Sequence, residues 1–196
     1  RHVRVLARTQ PRDEAKFVNM RHTMAAHAAG PITIPYPRGP INGPALPASP
    51  EILEIGKAEV VAEGSDVALF GLGTMFDMAR ETKDLLEKRG LSVALVNPRF
   101  IKPLDTAVIE RFARQCRVIC TFEDHVLTHG FGAAIIEHLH DAGIHTPVER
   151  IGWPDQFIEH GKVSTLRELH DLTAAHAAEK ILRRDAVPSV RDHQVC

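Results

Sequence analysis

Histidine and carboxylate side chains concentrate in one short stretch of this sequence, residues 123–130. It begins with Glu123, Asp124 and His125, and His129 follows four residues after the first histidine. Zinc ligands often use this spacing, but the HExxH order of zinc hydrolases is absent and a glycine directly follows His129. A metal site and a loop whose polar groups bond one another both remain open, and we expect the polar loop.

Arginine side chains offer anion sites in two other stretches. Arg99 and Lys102 lie between two prolines in a predicted loop that leads to Asp105. A bound anion and an ion pair between Arg99 and a neighbouring acid are equally open there. Arg38 belongs to the string Tyr36-Pro37-Arg38-Gly39, where proline fixes the backbone before a guanidinium that suits a phosphate or carboxylate. Ligand contact and a structural ion pair are evenly matched for Arg38.

Two more stretches have glycine or aromatic residues after a predicted strand. The string Gly71-Leu72-Gly73-Thr74 lacks the third glycine of a dinucleotide fingerprint, and no acid follows the next strand, so we expect a tight turn. Residues 153–161 mix Trp153 and Phe157 with acids and a histidine. We expect both aromatic side chains to be exposed and to take part in a homodimer interface.

The elements that must position these stretches alternate between strand and helix. Apolar runs at 67–70, 91–96, 118–122 and 148–151 predict strands. Helices are predicted after each run, with caps at Thr74, Asp105 and Thr173 and a start at Gly130. Fully apolar strands, each followed by a helix, predict an α/β fold: a three-layer, doubly wound, mostly parallel sheet. Ligands of such sheets gather at the carboxyl ends of the strands, where the polar stretches lie.

The ends of the chain differ from this central part. Residues 1–30 predict one strand and one helix over 13–29, which are too few to bury a core, so we interpret them as the remnant of another α/β domain. Seven prolines within 31–50 predict a linker without helix. Residues 185–196 predict a flexible tail. The sequence starts with arginine, and we expect it to be the C-terminal piece of a longer chain.

Composition excludes several classes of partner. The 24 Lys and Arg against 25 Asp and Glu give a net charge of -1, which leaves no basic excess for binding nucleic acid. No apolar run approaches the ~20 residues of a membrane-spanning helix. The 3 cysteines show no CxxC spacing and the first residues of the sequence hold no apolar signal-peptide core, so we expect a cytoplasmic location without disulfides.

Several motifs, in the same order and spacing, resemble one enzyme family. They are Y-P-R-G at 36–39, G-L-G-T-M at 71–75, N-P-R-F-I-K-P-L-D at 97–105, G-F-G at 130–132 and G-W-P-D-Q-F-I-E-H-G at 152–161. Together they resemble 1-deoxy-D-xylulose-5-phosphate synthase, and the last motif is closer to this synthase than to transketolase. Two departures occur: Glu123-Asp124-His125 replaces the usual Glu-Glu-Asn, and His129 replaces a common glycine.

The resemblance implies a thiamine-diphosphate-dependent transferase with Mg²⁺, which condenses pyruvate and glyceraldehyde 3-phosphate and releases CO₂. Its product feeds isoprenoid, thiamine and pyridoxal synthesis. Residues 1–48 would be the end of the pyrimidine-binding domain with the linker, and 49–184 the transketolase C-terminal domain. The family's GDG motif and cofactor-activating glutamate are absent from these residues, so the resemblance implies no catalytic, cofactor-binding or metal residue here and an inactive chain. Arg38 matches the arginine that contacts the phosphate of the aldehyde substrate.

Two alternatives remain. The chain could belong to another transketolase-like enzyme, either transketolase itself or a 2-oxoacid dehydrogenase beta subunit. It could also be a non-catalytic dimerisation or regulatory domain. The upstream sequence would separate these alternatives.

Overall fold

The computed structural model of the protein describes residues 6–37 and 45–185, which form eight strands and six α-helices. The strands are β1 (Ala7–Thr9), β2 (Ile32–Thr33), β3 (Glu59–Ala62), β4 (Val67–Gly71), β5 (Val93–Asn97), β6 (Phe100–Lys102), β7 (Val118–Val126) and β8 (Val148–Trp153). The helices are α1 (Glu14–Ala26), α2 (Phe76–Glu87), α3 (Thr106–Gln115), α4 (Phe131–Asp141), α5 (Val163–Leu169) and α6 (Ala174–Asp185). None of these described helices is both long and apolar enough to cross a bilayer.

The central sheet has the order β3-β5-β4-β7-β8. The strands β5, β4, β7 and β8 pair in parallel. The edge strand β3 pairs with β5 in the antiparallel direction. Every residue of β4 and β5 is buried, as expected for strands covered on both faces. The predicted doubly wound, mostly parallel α/β sheet is therefore confirmed.

Alternate residues of the strands face two separate layers of helices. Val67 and Leu69 of β4 pack against α2 and α6, through residues such as Leu86 and Ile181. Ala68 and Phe70 of the same strand pack against α3 and α4. Because each fully buried aromatic or aliphatic side chain contributes ~1.5–3 kcal/mol, these two layers supply the main stabilisation of the sheet.

A second, smaller sheet joins the N-terminal segment to the carboxyl edge of the central one. Its order is β2-β1-β6: β1 pairs with β2 in parallel and with β6 antiparallel. The strand β2 lies within the proline-rich segment and is the edge strand of this sheet. Prolines are tolerated near an edge strand because one of its sides needs no hydrogen bonds to a neighbour. Residues 6–33 are thus hydrogen-bonded to the part of the chain that follows β5.

Helix α1 lies within the range 13–29 that the sequence predicts, but it buries few apolar side chains. Asp13 caps it by accepting a hydrogen bond from the Lys16 amide at 2.7 Å. Its buried side chains are Asn19, Met20 and Thr23, and the hydroxyl of Thr23 accepts a bond from the amide of Leu53 at 2.8 Å. Most of its apolar side chains are only partly buried or exposed.

The structure corrects three local expectations. Thr74 does not cap α2: residues Gly73–Met75 form a short 3₁₀ turn, and the Thr74 hydroxyl bonds Asp124 instead. The expected loop at 97–105 contains β6. Helix α5 follows the 153–161 stretch, in a segment for which the sequence predicted no element. The caps at Asp105 and Thr173 are confirmed, because each side chain accepts a bond from an amide three residues later.

Candidate functional site

The carboxyl ends of β4 and β7 meet at the centre of the sheet. After β4 the chain continues to β5 on one side of it, and the later strand β7 lies on its other side. The strand order therefore reverses between β4 and β7, which makes this position a topological switch point. The amide of Leu72 donates a hydrogen bond of 2.9 Å to the carbonyl of Phe122, which brings residues 72–74 against Glu123 and Asp124. Ligands of open α/β sheets bind at this position.

Glu123 fills the position that an anion would take at the N-terminus of α4. Its carboxylate accepts bonds from the amides of Phe131 at 2.6 Å and Gly132 at 2.9 Å. Burial raises the pKa of Glu123 more than these two hydrogen bonds and the charges of His125 and Arg150 lower it. A bound phosphate therefore cannot use these two amides.

Gly130 gives the Glu123 carboxylate its space. A Cβ atom on Gly130 would overlap the carboxylate oxygens of Glu123, and one on Gly132 would overlap the hydroxyl of Thr121. The G-F-G motif is thus explained by close packing at the start of α4 rather than by a nucleotide.

Asp124 connects three elements around the same switch point. One carboxylate oxygen accepts bonds from the Thr74 hydroxyl at 3.0 Å and the Arg167 guanidinium at 3.1 Å. The other accepts a bond of 2.6 Å from the indole nitrogen of Trp153. Trp153 is only partly exposed and packs on the hydrophobic core, so the expectation of an exposed indole is wrong. Phe157 is 89% exposed, as expected.

Arg99 is held in place as an ion-pair partner. Its guanidinium lies 3.5 Å from a carboxylate oxygen of Glu59, and its backbone has a φ of 58°. The carbonyl of Arg99 accepts bonds from the amide of Gln10 at 2.9 Å and the hydroxyl of Thr9 at 2.6 Å. Of the two alternatives left open by the sequence, the structure shows the ion pair.

The carboxylate of Glu59 lies within ion-pair distance of three cationic side chains. Besides Arg99, the ammonium of Lys16 lies 3.0 Å and the guanidinium of Arg12 lies 3.6 Å from its carboxylate oxygens. The side-chain amide of Asn97 donates a hydrogen bond of 3.0 Å to the same carboxylate. Burial raises the pKa of Glu59, but the bonds from Lys16 and Asn97 and the charges of Arg12 and Arg99 hold it below its usual value.

A cleft of about 520 Å³ lies between the switch point and the small sheet. Its charged lining includes Glu123 and Asp124 from the end of β7, together with Arg8 from β1 and Lys102 from β6. His125 and His129 also line it. The sequence could not assign Arg8 to this site, because the β1–β6 pairing joins residues more than ninety positions apart and leaves no local pattern.

The structure describes both histidines of this stretch. The Nδ1 atom of His125 lies 2.8 Å from the carbonyl oxygen of Val126, and His129 has a φ of 58°. Within residues 6–37 and 45–185, no group of three or more histidine, cysteine or acidic side chains is arranged to hold a metal ion. The contact of His125 with the backbone carbonyl is of the kind expected for a polar loop.

Arg38, the predicted substrate-binding residue, lies outside the described residues. The structure reaches its neighbour Pro37 and includes Tyr36, whose ring is 69% exposed and lies 5.2 Å from the ring of Phe17. Pro35 borders the cleft.

Comparison with known proteins assigns this arrangement to a family. Residues 56–177 match the family model described as "Transketolase, C-terminal domain". The chain belongs to the transketolase C-terminal domain family. Because the match covers the whole central sheet, the switch point and its polar residues are features of this transketolase C-terminal domain.

The curated relatives agree with the resemblance noted from the motifs. A 1-deoxy-D-xylulose-5-phosphate synthase of Methylacidiphilum infernorum is 48% identical over 173 residues, which cover 88% of this chain and 27% of the relative. The synthase of Acidobacterium capsulatum is 46% identical over 184 residues, covering 92% of this chain and 29% of the relative. The resemblance to this synthase is confirmed, and the chain spans a little over a quarter of the length of these relatives.

Solved structures agree on the fold. A chain described as a split-gene transketolase, inactive beta4 tetramer, superposes with a TM-score of 0.84 at 27% identity, covering 96% of this chain and 60% of that one. A Pichia stipitis transketolase superposes with a TM-score of 0.69 at 16% identity, covering 92% of this chain and 25% of that one.

The described residues do not fit the cofactor of transketolase-type enzymes. A diphosphate with its Mg²⁺ needs a cradle of free donors and carboxylate ligands. The amides at the start of α4 are already bonded to Glu123, and Asp124 is bonded to Thr74, Trp153 and Arg167. The described residues at the switch point therefore offer no free cradle for this cofactor.

Proposed function

We propose that this chain is part of a thiamine-diphosphate-dependent 1-deoxy-D-xylulose-5-phosphate synthase. That enzyme joins pyruvate to glyceraldehyde 3-phosphate with loss of CO₂. The proposal rests on one observation: relatives 48%, 46% and 44% identical over about nine-tenths of the chain are all named for this activity. A transketolase or dehydrogenase subunit is less well supported, since the Pichia stipitis transketolase is only 16% identical.

The proposal assigns the domains and the cofactor site of the enzyme to different residues. Residues 49–184 would be the C-terminal domain, 1–48 the end of a pyrimidine-binding domain, and 185–196 a tail. Thiamine diphosphate and Mg²⁺ would be bound by residues outside this chain. The outer face of α1 and β2 supports this division, because Met24 and Tyr36 are 40% and 69% exposed and would be covered by the remainder of such a domain.

Arg38 would hold the phosphate of the aldehyde substrate. In the sequence a proline directly precedes Arg38, and a planar guanidinium can form two hydrogen bonds to one phosphate.

A homodimer would complete the enzyme. The segment between β8 and α6 supports it, with Phe157, Val163 and Leu169 exposed by 89%, 57% and 72%. Apolar groups of this size at one surface mark protein interfaces. The cytoplasmic location remains a prediction from the sequence.

A chimaera tests the proposed activity. Residues 1–184 would replace the matching segment of the Methylacidiphilum infernorum synthase, and product formation from pyruvate and glyceraldehyde 3-phosphate would be measured. We expect turnover. A chimaera that folds and binds thiamine diphosphate but makes no product would overturn the proposal.

Calorimetry tests where the cofactor binds. The 196-residue chain alone should not bind thiamine diphosphate with Mg²⁺, and micromolar binding would contradict the assignment of the cofactor site to residues outside this chain.

The same chimaera tests Arg38. A lost hydrogen bond to a charged group costs ~1.5–3 kcal/mol, so Arg38→Ala should lower kcat/KM for glyceraldehyde 3-phosphate by about 10- to 150-fold. The kcat/KM for pyruvate should hardly change. An equal loss for both substrates, or for unphosphorylated glyceraldehyde, would make Arg38 a structural residue.

A further inference from the structure

The segment between β8 and α6 has little packing against the rest of the molecule. None of residues 154–171, all of which the structure describes, is buried. By contrast, Trp153 before them packs on the hydrophobic core, and Leu172 after them is 5% exposed. Helix α5 lies within this segment and buries no side chain. Because tertiary packing supplies most of the stability of a short helix, a few specific contacts must hold α5 in place.

One ion pair attaches α5 to the central sheet. The guanidinium of Arg167 donates a hydrogen bond of 3.1 Å to Asp124, near the carboxyl end of β7. The Nε atom of Arg167 is buried and has no hydrogen-bond partner among the described residues. A buried donor without a partner costs free energy, so it offsets part of what the ion pair contributes to the attachment.

The other contacts of α5 lie at its C-terminal end. The ring of His170 stands edge-on to the indole of Trp153, with the ring centroids 5.7 Å apart. The carboxylate of Asp171 lies 3.9 Å from Nδ1 of His176. Asp171 has a φ of 57°, in the left-handed region that residues with a side chain adopt at a cost. The end of α5 is therefore the point at which the backbone would adjust if α5 moved.

The remaining bonds of Asp124 do not involve α5. The Thr74 hydroxyl and the Trp153 indole nitrogen donate to its carboxylate at 3.0 Å and 2.6 Å. These two bonds would stay if Arg167 left. Its departure would uncover the edge of Trp153 that faces His170 and would free one acceptor position on Asp124, which lines the cleft.

We propose that residues 154–171 form a strap that opens and closes over Trp153, with the Asp124–Arg167 ion pair as its clasp. In the closed state, which the structure shows, α5 contacts the ends of β7 and β8 through Arg167 and His170. In the open state α5 leaves these strand ends, and Asp124 becomes accessible from the side of α5. The strap is a property of a single copy of the chain and does not depend on the proposed function.

The fluorescence of Trp153 reports the state of the strap, because it is the only tryptophan in the sequence. Acrylamide quenching of the 196-residue chain measures how far the indole is exposed. The protein concentration is one at which sedimentation velocity shows single copies. Added salt should raise the quenching constant of the wild type, because salt screens the Asp124–Arg167 pair, and acrylamide itself is uncharged.

Arginine variants test the clasp. Arg167→Gln should raise the quenching constant of Trp153 and make it independent of salt, whereas Arg167→Lys, which keeps the charge, should restore part of the protection. Arg111→Gln is the matched control. It removes an ion pair with Glu63, at 3.0 Å, on the other helical layer of the sheet, and should leave the quenching unchanged.

Hydrogen exchange shows whether α5 itself moves. The amides of Leu166 and His170 donate to the carbonyls of Lys162 and Leu166, so they are protected only while α5 is formed. In Arg167→Gln they should exchange about 3- to 10-fold faster, less than a fully buried charged hydrogen bond would give, because the two side chains are 22% and 28% exposed. Amides of β4 and α4 should keep their wild-type rates, which also establishes that the variant is folded.

Three results would overturn the proposal. Arg167→Gln could leave the quenching of Trp153 at the wild-type value, or Arg111→Gln could raise it equally. The quenching could rise while the α5 amides exchange at wild-type rates, which would limit the change to the indole. Finally, exchange could accelerate equally in α5, β4 and α4, which would indicate global destabilisation and no separate opening of the strap.

Discussion

Glu123 shows how one buried carboxylate determines the chemistry of the switch point. It satisfies two amides at the start of α4, which in many α/β proteins would bind a ligand phosphate. Gly130 leaves the necessary room, and its own backbone, with a φ of -80°, would accept other residues. The glycine is therefore required by the neighbouring carboxylate and not by its conformation.

Gly130→Ala should cost ~1–3 kcal/mol of unfolding free energy, because the new methyl group overlaps the Glu123 carboxylate. In a chain that already carries Glu123→Ala the same substitution should cost much less, since the overlapping group is gone. Urea unfolding of the four variants measures this coupling. Equal costs in both backgrounds would show that the overlap is not the cause.

Glu59 acts between elements, because it joins β3 to α1 and to the turn before β6. Its pKa is held below its usual value of 4.5. A carboxyl whose pKa is lowered by folding contributes stability above its unfolded pKa, and this contribution disappears as the pH falls through the folded value. The attachment of α1 should therefore weaken in acid.

Glu59→Gln should lower the free energy of unfolding near neutral pH and narrow its gap to wild type as the pH falls below 4.5, because wild-type Glu59 then becomes protonated too. Denaturant unfolding over this pH range measures the gap. Glu63→Gln serves as the control, since Glu63 forms an exposed ion pair with Arg111 that contributes little. A gap that is constant with pH would contradict the role given to the Glu59 charge.

Local patterns in the sequence predicted the central elements well. The apolar run 67–70 and the Asp105 cap each depend on neighbouring residues, and the structure confirms both. The pairing of Arg8 with Lys102 depends on contacts between distant segments, which no local period records. Thr74 shows the same limit: its type suits a helix cap, but the nearby Asp124 carboxylate, fifty positions away in sequence, takes its hydroxyl. At Arg8 and at Thr74, contacts with residues distant in sequence therefore determined the structure more than the local sequence pattern did.

At the scale of the whole molecule, two regions of the described chain each group several exposed apolar side chains. One lies on α1 and β2, around Met24 and Tyr36, and the other lies between β8 and α6, around Phe157 and Leu169. Trp153 sits beside the second region but belongs to the interior through its bond to Asp124. The two aromatic residues that the sequence grouped together therefore have different roles, one in stability and one at the surface.

Substitution of these two aromatics separates association from folding. Phe157→Ser should weaken self-association of the 196-residue chain and leave its unfolding midpoint nearly unchanged, because its ring is 89% exposed and makes few contacts within one copy. Trp153→Ala should instead lower the unfolding free energy by ~1–3 kcal/mol, since it removes core packing and the hydrogen bond from the indole nitrogen to Asp124. Sedimentation velocity measures the first effect and urea unfolding the second. Wild-type and Phe157→Ser chains that associate to the same degree would show that the region around Phe157 is not the dimer interface.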